Sequence, residues 1–301
     1  MSASAPLLGG VELGGTKCVC LVGTGPNDVR ARISLPTGGD SEATLARIES
    51  QLREWRTSIG PIAALGVASF GPLDLDRASP TYGSIVSTVK PGWSNTDVVR
   101  RLSRAVGVPV GFDTDVNGAA LAEGRWGAAR NLADYAYVTV GTGVGVGLVV
   151  AGRPAYGFSH GELGHIRIVR LAGDDWQGAC AFHGDCVEGL ASGAAIAARA
   201  GMPAHRIPVD SPVWEGVAHA LAQLLHTLVL STAPRRILIG GGVAESRPEL
   251  LEQVRRRLLL SINGYLDLGR LVGGIDAYVV PPGLGPLAGP MGALALAADA
   301  V

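Results

Sequence analysis

Apolar residues alternate around a Gly-Gly turn in GGVELGGTKCVCLVG, a pattern that predicts a β-hairpin over residues 9 to 23. ARISL, residues 31–35, predicts a third strand. From Ser41 to Ser58 the period changes, and Leu45, Ile48, Leu52 and Trp55 recur at helical spacing. A buried strand follows in AALGVASFGP, closed by a Gly-Pro turn. The Gly/Ser/Pro-rich loop PTYGSIVSTVKPGWSN then leads into a helix carrying Val98, Val99, Leu102 and Val106. PVGFDTD (109–115) predicts a strand whose end carries two acids, and VNGAALAEGRWG a small-residue helix.

The opening pattern then restarts. YAYVTVGTGVGVGLVVAGRP reads as strand, glycine turn, strand. Helices are predicted at about 187–200, 211–232 and 248–260, and strands at 235–240 and 276–281. A final alanine-rich helix covers about 289–299. Two strand–turn–strand units, each followed by mixed α/β, predict a duplicated architecture with a ligand between the halves.

Composition narrows the class. With 301 residues, 47% hydrophobic and 17% charged, the chain can build two cores and does not read as disordered. A formal charge of −1 without long charged runs gives no electrostatic footprint for nucleic acid. The 44 glycines are about twice the ordinary share, clustered in short apolar segments. MSASAPLLGG has neither the basic region nor the apolar stretch of a signal peptide. No run of ~18 uncharged apolar residues stands outside the predicted elements, so no membrane partner is expected. A cytoplasmic location follows as an expectation, and there a stable disulfide is disfavoured.

Three glycine turns stand out: Gly14-Gly15-Thr16-Lys17, Gly141-Thr142-Gly143 and Gly240-Gly241-Gly242. Glycine admits positive φ and removes the side chain that keeps a phosphate from backbone amides. Gly141, Gly143, Gly145 and Gly147 lack the last glycine of a dinucleotide fingerprint, since Val146 or Leu148 stands there. GGTK lacks the spacing of a P-loop. One such loop reads equally as a tight turn; three in one chain, each between apolar strands, point to nucleotide phosphates.

Asp113 and Asp115 stand where the strand 109–115 meets its helix. Either can be an N-cap. The functional alternative makes Asp115 the base that takes a proton from an attacking hydroxyl, with Asp113 in support.

The order ELGGTK, FGPLD, PGWSNTDVV, DTDVNGAALAE, VGTGVGVGL, HGELGHI, C-x-x-H-x-x-C-x-E and IGGGV resembles the ROK family of sugar kinases, and within it the fructokinases. The motifs run in family order from about residue 10 to 295. The resemblance implies an α/β, two-domain actin/hexokinase-like fold, ribonuclease H-like and duplicated, with the site in the inter-domain cleft. Residues 1–116 with 287–301 would form the smaller domain, and 117–286 the larger one with a zinc-binding segment. It also implies ATP- and Mg²⁺-dependent phosphorylation of a hexose, D-fructose first, to the 6-phosphate. Asp115 matches the catalytic base. Glu162, His165 and Glu188 match residues that bind sugar hydroxyls, with Thr114 and Gly71 as further candidate contacts. Gly14, Gly15, Thr16 and Lys17 would form one phosphate loop, and Gly141, Thr142 and Gly143 the other. Gly240, Gly241 and Gly242 would lie against the adenosine. The family also favours a homodimer.

Three positions depart from the pattern. Glu12 stands where many relatives have Asp, and Gly161 where the fructokinase branch often has Pro. Thr114 replaces the Asn of the glucokinase-like branch, which weakens a glucose assignment. The alternatives are mannose, glucose or an N-acetylhexosamine as acceptor and, from another class, a sugar-responsive regulator. The regulator is disfavoured because only about eight residues precede the first glycine loop, too few for a DNA-binding domain.

Cys180, His183 and Cys186 are spaced C-x₂-H-x₂-C, with His165 upstream. Compartment disfavours a disulfide, and the spacing is not that of a redox dithiol. Four N/S ligands would close a tetrahedral zinc shell, which marks a structural ion. Binding His165 and Cys186 to one ion would also fix Glu162 and Glu188 for sugar recognition; misplacing one would cost ~1.5–3 kcal/mol. Cys18 and Cys20 alternate along the first hairpin as core residues. Trp93 reads as a sugar wall or as a loop anchor, and Lys17 as a phosphate ligand or a solvated side chain. His160 is a candidate for the cleft mouth, whereas His205, His219 and His226 read as structural.

Overall fold

The computed structural model describes residues 5–301. The opening hairpin forms as β1 (Leu8–Leu13) and β2 (Lys17–Gly25), and β2 pairs antiparallel with β3 (Asp28–Pro36). On its other side β1 pairs in parallel with β4 (Ala64–Ser69), buried at every position as a central parallel strand requires. β5 (Ser84–Ile85) and β6 (Thr96–Asp97) make a separate short pair, and β7 (Val110–Thr114) completes the main sheet beside β4. The order is β3-β2-β1-β4-β7.

Helix α1 (Ser41–Ser58) buries the predicted stripe Leu45, Ile48, Leu52 and Trp55. Asp40 caps it by accepting from Ala43 N–H at 3.0 Å. Helix α2 (Val98–Val106) starts at Asp97 and stops at Gly107, which takes the left-handed conformation. Helix α3 (Asp115–Trp126) follows β7 directly.

A second sheet repeats the plan of the first. β8 (Tyr135–Val140) and β9 (Val144–Val150) form a hairpin, with β10 (Arg153–Pro154) antiparallel at its edge. Helices α4 (Val187–Ala191), α5 (Gly193–Ala200) and α6 (Val213–Thr232) intervene before β11 (Ile237–Gly240). Then come α7 (Gly242–Ser246), α8 (Pro248–Ile262), α9 (Leu268–Val272), α10 (Ile275–Tyr278), β12 (Val279–Val280) and α11 (Ala288–Ala298). β11 and β12 pair in parallel, giving the order β10-β9-β8-β11-β12. Each sheet is thus a three-stranded antiparallel meander extended by two parallel strands.

The chain divides into two units, one built on each sheet. The first runs through Gly127 and includes Tyr156–His160 and Leu287–Val301; the second holds Ala128–Ala155 and Gly161–Pro286. By this division the first unit extends past the expected boundary at 116 as far as Gly127. α3 belongs to the first unit because Gly118 lies against Gly292 of α11, where a Cβ on Gly292 would stand 2.4 Å from the Gly118 carbonyl carbon. The same helix lies close on the sheet, since a Cβ on Gly66 would meet the Ala293 oxygen at 1.8 Å.

Two predicted elements differ. The helix expected over 187–200 is two helices, because Ser192 is extended (ψ 158°) and caps α5 through Ala195 N–H at 3.1 Å. Of the strand expected at 276–281, residues 276–278 belong instead to the helical turn Ile275–Tyr278 launched from Gly274 (φ 102°), and β12 keeps Val279–Val280. Short apolar runs do not distinguish the two periods. α6 is the one helix among the described residues long and apolar enough to cross a bilayer; 61% of its most apolar window is buried within the protein. It is the central core helix of the second unit, carrying Leu221, Leu224, Leu225 and Leu228.

Replacing Gly66 by Ala would force a methyl into the backbone of α11, where no side-chain rotation relieves it. We expect a loss of about 3 kcal/mol, read as a lower urea midpoint for the G66A protein.

Candidate active site

In the first unit, the β1–β2 turn is closed by Gly14 N–H donating to the Lys17 carbonyl at 3.1 Å. Thr37 backs it, donating its amide to the Thr16 carbonyl at 3.0 Å and its hydroxyl to the Gly14 carbonyl at 2.6 Å. The two glycines serve different ends. A Cβ on Gly14 would strike the Lys17 oxygen at 2.7 Å, whereas one on Gly15 would meet nothing within 4 Å. Gly14 is thus required by the turn, and Gly15 faces open space suited to a ligand. Thr16 and Lys17 are exposed. Burial pushes the Glu12 carboxyl up, and the positive charges of Lys17 and Arg32 oppose that rise.

At the end of β7, Thr114 is the N-cap of α3, its hydroxyl accepting from Asn117 N–H at 3.1 Å. The capping role thus goes to Thr114 and to neither aspartate, which also sets Thr114's buried hydroxyl to holding the helix. Asp115 is the first helical residue, partly exposed, with Oδ1 accepting from Val116 N–H at 2.9 Å. Asp113 is 2% exposed and supports the strand end from behind. Its Oδ1 accepts from Thr114 N–H at 2.7 Å and from the Asn117 amide at 2.9 Å; its Oδ2 accepts from the Tyr156 hydroxyl. Burial raises its carboxyl above the usual range, and these hydrogen bonds hold it down.

Tyr156 and His160 bracket a short segment of this unit. The His160 ring packs over Gly71, where a Cβ would meet its Cε1 at 3.2 Å, and its Nε2 accepts from Leu73 N–H at 3.0 Å. An accepting Nε2 requires the neutral ring with its proton on Nδ1. His160 and Gly71 thus form one packed contact. Trp93 is wholly buried, edge-on to Phe70 at 5.3 Å, and donates Nε1–H to the Gly38 carbonyl at 3.1 Å. It is a loop anchor.

In the second unit, the β8–β9 turn is closed by Gly141 N–H on the Gly143 carbonyl at 2.9 Å. The Gly141 carbonyl receives Gly193 N–H at 2.7 Å, tying the turn to the start of α5. Gly141, like Gly15, faces open space, as does Gly242. Gly240 and Gly241 are instead crowded, Gly240 by the Tyr137 hydroxyl and Gly241 (φ 90°) by Thr139 and Val140. Gly143 is crowded by Glu188, whose Oε2 accepts from Val144 N–H at 3.1 Å.

Gly164 explains the E-x-G-H pattern. A Cβ there would meet the Val144 carbonyl oxygen at 1.9 Å, so only glycine lets the turn Leu163–His165 lie against β9. That contact delivers His165 to the cysteines. Its Nδ1 is 3.6 Å from each of the Cys180 and Cys186 sulfurs, and His183 Nδ1 is 3.7 Å from Cys180 Sγ. All four donor atoms lie within 4.8 Å of one another. Bonds of ~2.3 Å to sulfur and ~2.05 Å to nitrogen at tetrahedral angles would separate N from S by about 3.6 Å, so the donor set fits zinc. His165 turns its other nitrogen, Nε2, toward Glu188 Oε1 at 3.8 Å. Glu162 is exposed at the head of the same turn. Outside the cluster, Asp185 binds Arg167 and Arg170 at 2.9 Å each, holding the loop that carries Cys186.

Asn117, Tyr156 and Lys90 escaped the sequence reading. Asn117 is four residues beyond Asp113, a helical-spacing clue; Tyr156 and Lys90 carry no local signal. Lys90 Nζ donates to the Gly15 carbonyl at 2.6 Å, across 75 residues of chain.

The sequence model of the ROK family matches residues 8–300. A fructokinase of Pediococcus pentosaceus is 39% identical, covering 98% of this chain and 99% of the relative. A fructokinase of Zymomonas mobilis is 40% identical over 99% of this chain and 98% of its own. The crystal structure of a ROK hexokinase from Thermus thermophilus superposes with a TM-score of 0.76 at 28% identity, covering 97% of this chain and 98% of that one. The fold is the actin/hexokinase-like sugar kinase fold.

Removing the Tyr156 hydroxyl by Tyr156→Phe would leave a buried carboxylate oxygen of Asp113 without its donor. We expect a loss of ~1.5–3 kcal/mol near neutral pH. The loss of the donor raises Asp113 further, so the charge-dependent part of the penalty is absent where Asp113 is protonated in both states, below its ordinary 3.8. It grows as pH rises through the raised folded value. Urea unfolding of Y156F against the parent from acid to neutral pH reads this difference.

Proposed function

We propose that this chain, which belongs to the ROK family, is an ATP-dependent fructokinase that converts D-fructose to fructose 6-phosphate. Near-full-length identity of about 40% to two fructokinases carries the choice of sugar. The site is consistent with it: a partly exposed acid stands at a strand end, and two carboxylates flank a rigid turn.

Asp115 is the general base. It takes the proton of the terminal hydroxyl as that oxygen bonds to the γ-phosphorus. The bond from γ-phosphorus to the β-phosphate oxygen breaks, and ADP leaves with the electron pair. Its position at the first turn of α3 suits a negative charge. Asp113 keeps this strand end in register through Thr114 and Asn117, and does not meet the substrate itself.

Glu162, His165 and Glu188 bind sugar hydroxyls, with carboxylates as acceptors of charge-assisted hydrogen bonds. Gly71 and Thr114 act beneath the site, one as the seat of the His160 ring and the other as a helix cap. The open glycines Gly15 and Gly141, with Gly14, Thr16, Thr142 and Gly143 shaping their turns, receive the triphosphate and its Mg²⁺; Gly240, Gly241 and Gly242 border the adenosine. A zinc ion held by His165, Cys180, His183 and Cys186 would supply a closed, non-hydrolytic structural clip. The chain's contribution is to hold the 163–165 turn against α4, so that Glu162 and Glu188 keep one spacing. We place the enzyme in the cytoplasm as a homodimer.

A coupled assay across fructose, mannose, glucose and N-acetylhexosamines tests the reading. Fructose should give the highest kcat/KM, and D115N should retain fructose binding while losing ~1000-fold or more in turnover. Glucose leading the series, or D115N turning over normally, overturns the corresponding assignment.

Metal analysis should find about one zinc per chain. Cys186→Ser should abolish that stoichiometry and lower the melting temperature whether or not sugar is present. A stable, metal-free parent protein would remove the clip.

A further inference from the structure

We propose that Lys90 is the cation that grips the terminal phosphate of the nucleotide and stabilises the charge developing there during transfer. The inference rests on the kinase reading above and adds a catalytic residue to it.

The first glycine turn offers backbone at Gly15 with open space beside it, but neutral amides alone cannot neutralise a triphosphate, and the turn's own cation, Lys17, is exposed at the start of β2. Lys90 brings the charge. Its ammonium donates to the Gly15 carbonyl at 2.6 Å, the single acceptor it meets among the described residues. An ammonium has three N–H donors, so two remain for a ligand on the same turn.

The placement is built by tertiary contacts. Gly92 (φ 73°) lies so close to Gly39 that a Cβ would stand 2.0 Å from the Gly39 oxygen. Buried Trp93 pins the next position through the Gly38 carbonyl. Ser94 Oγ accepts from Thr88 N–H and donates to the Thr88 carbonyl, each at 3.1 Å, and Lys90 N–H donates to Thr88 Oγ1 at 3.3 Å. The ammonium is thereby held at the turn before any nucleotide arrives, so little entropy is lost on engagement.

Lys17, the cation within the turn itself, is placed otherwise. It is exposed at the start of β2, makes no side-chain hydrogen bond among the described residues, and its charge acts on Glu12. During transfer Lys90 keeps all its protons; the hydroxyl proton goes to Asp115 and the bonding pair to ADP. Lys90 supplies N–H donors and positive charge to the oxygens of the moving phosphoryl group.

The test separates charge from mere propping of the Gly15 carbonyl. Lys90→Gln keeps an N–H donor and removes the charge; Lys90→Arg keeps the charge. We expect K90Q to lower kcat on fructose by ~100-fold or more, with the fructose KM within ~3-fold of the parent. K90R should recover part of the rate. By calorimetry, K90Q should weaken a non-hydrolysable ATP analogue by ~10-fold while leaving ADP unchanged. A K90Q enzyme with parental turnover, or an equal shift on both nucleotides, overturns the proposal. Should the parent protein fail to phosphorylate fructose, the sugar assignment falls, and the analogue-against-ADP comparison still decides Lys90.

Discussion

Close approach of backbone to backbone is the constraint on which this structure rests. α11 lies on the first sheet with its Ala293 carbonyl over Gly66 and its Leu296 carbonyl over Gly111, and meets α3 where Gly292 faces Gly118. A single methyl at any of these would separate the layers, because interiors are packed to crystal-like density. The same constraint acts in the second unit, where Gly164 sits on the Val144 carbonyl and sends His165 toward the cysteines. Many glycines seat one element on another; others, among them Gly15, Gly141 and Gly242 of the three glycine turns, face open space.

Electrostatics separates the acids into those tied within the fold and those left partly open. Asp113 is buried and takes three hydrogen bonds, so its charge is spent inside the protein. Asp115, two residues on, stands at the head of α3 and is partly open. Glu188 lies between: one oxygen rests on the Val144 amide while the other faces His165. A histidine offering Nδ1 to the thiols and Nε2 to a carboxylate joins the donor cluster to the sugar-binding candidates through one ring. Ligand orientation by such a second contact is a general property of metal-bound histidines.

Much of the candidate site is legible in the sequence because its residues are local to strong patterns. The turn at Gly14–Lys17 interrupts an alternating hairpin, and C-x₂-H-x₂-C has few other uses in a chain of this kind. Asp115 was marked by the strand-to-helix switch. What stayed hidden depends on residues distant in sequence: Lys90 on Gly15, His160 on Leu73, Tyr156 on Asp113. The cap of α3 is ambiguous in the sequence for a subtler reason. Thr and Asp are both good caps, and the backbone dihedrals of Thr114 (φ −63°, ψ 153°) settle which one serves.

The sequence alone determined the period of each long element, the duplicated order of strand, turn and strand, and the chemistry of the donors, because these follow from neighbours along the chain. α1, α6 and the two hairpins needed nothing else. Tertiary structure decided the break at Ser192, the helical turn at 275–278, the extension of the first unit to Gly127, and the partner of each buried polar group. Those outcomes depend on which surfaces meet, and a carbonyl such as that of Gly141 or Gly15 acquires its donor only once distant segments pack against it.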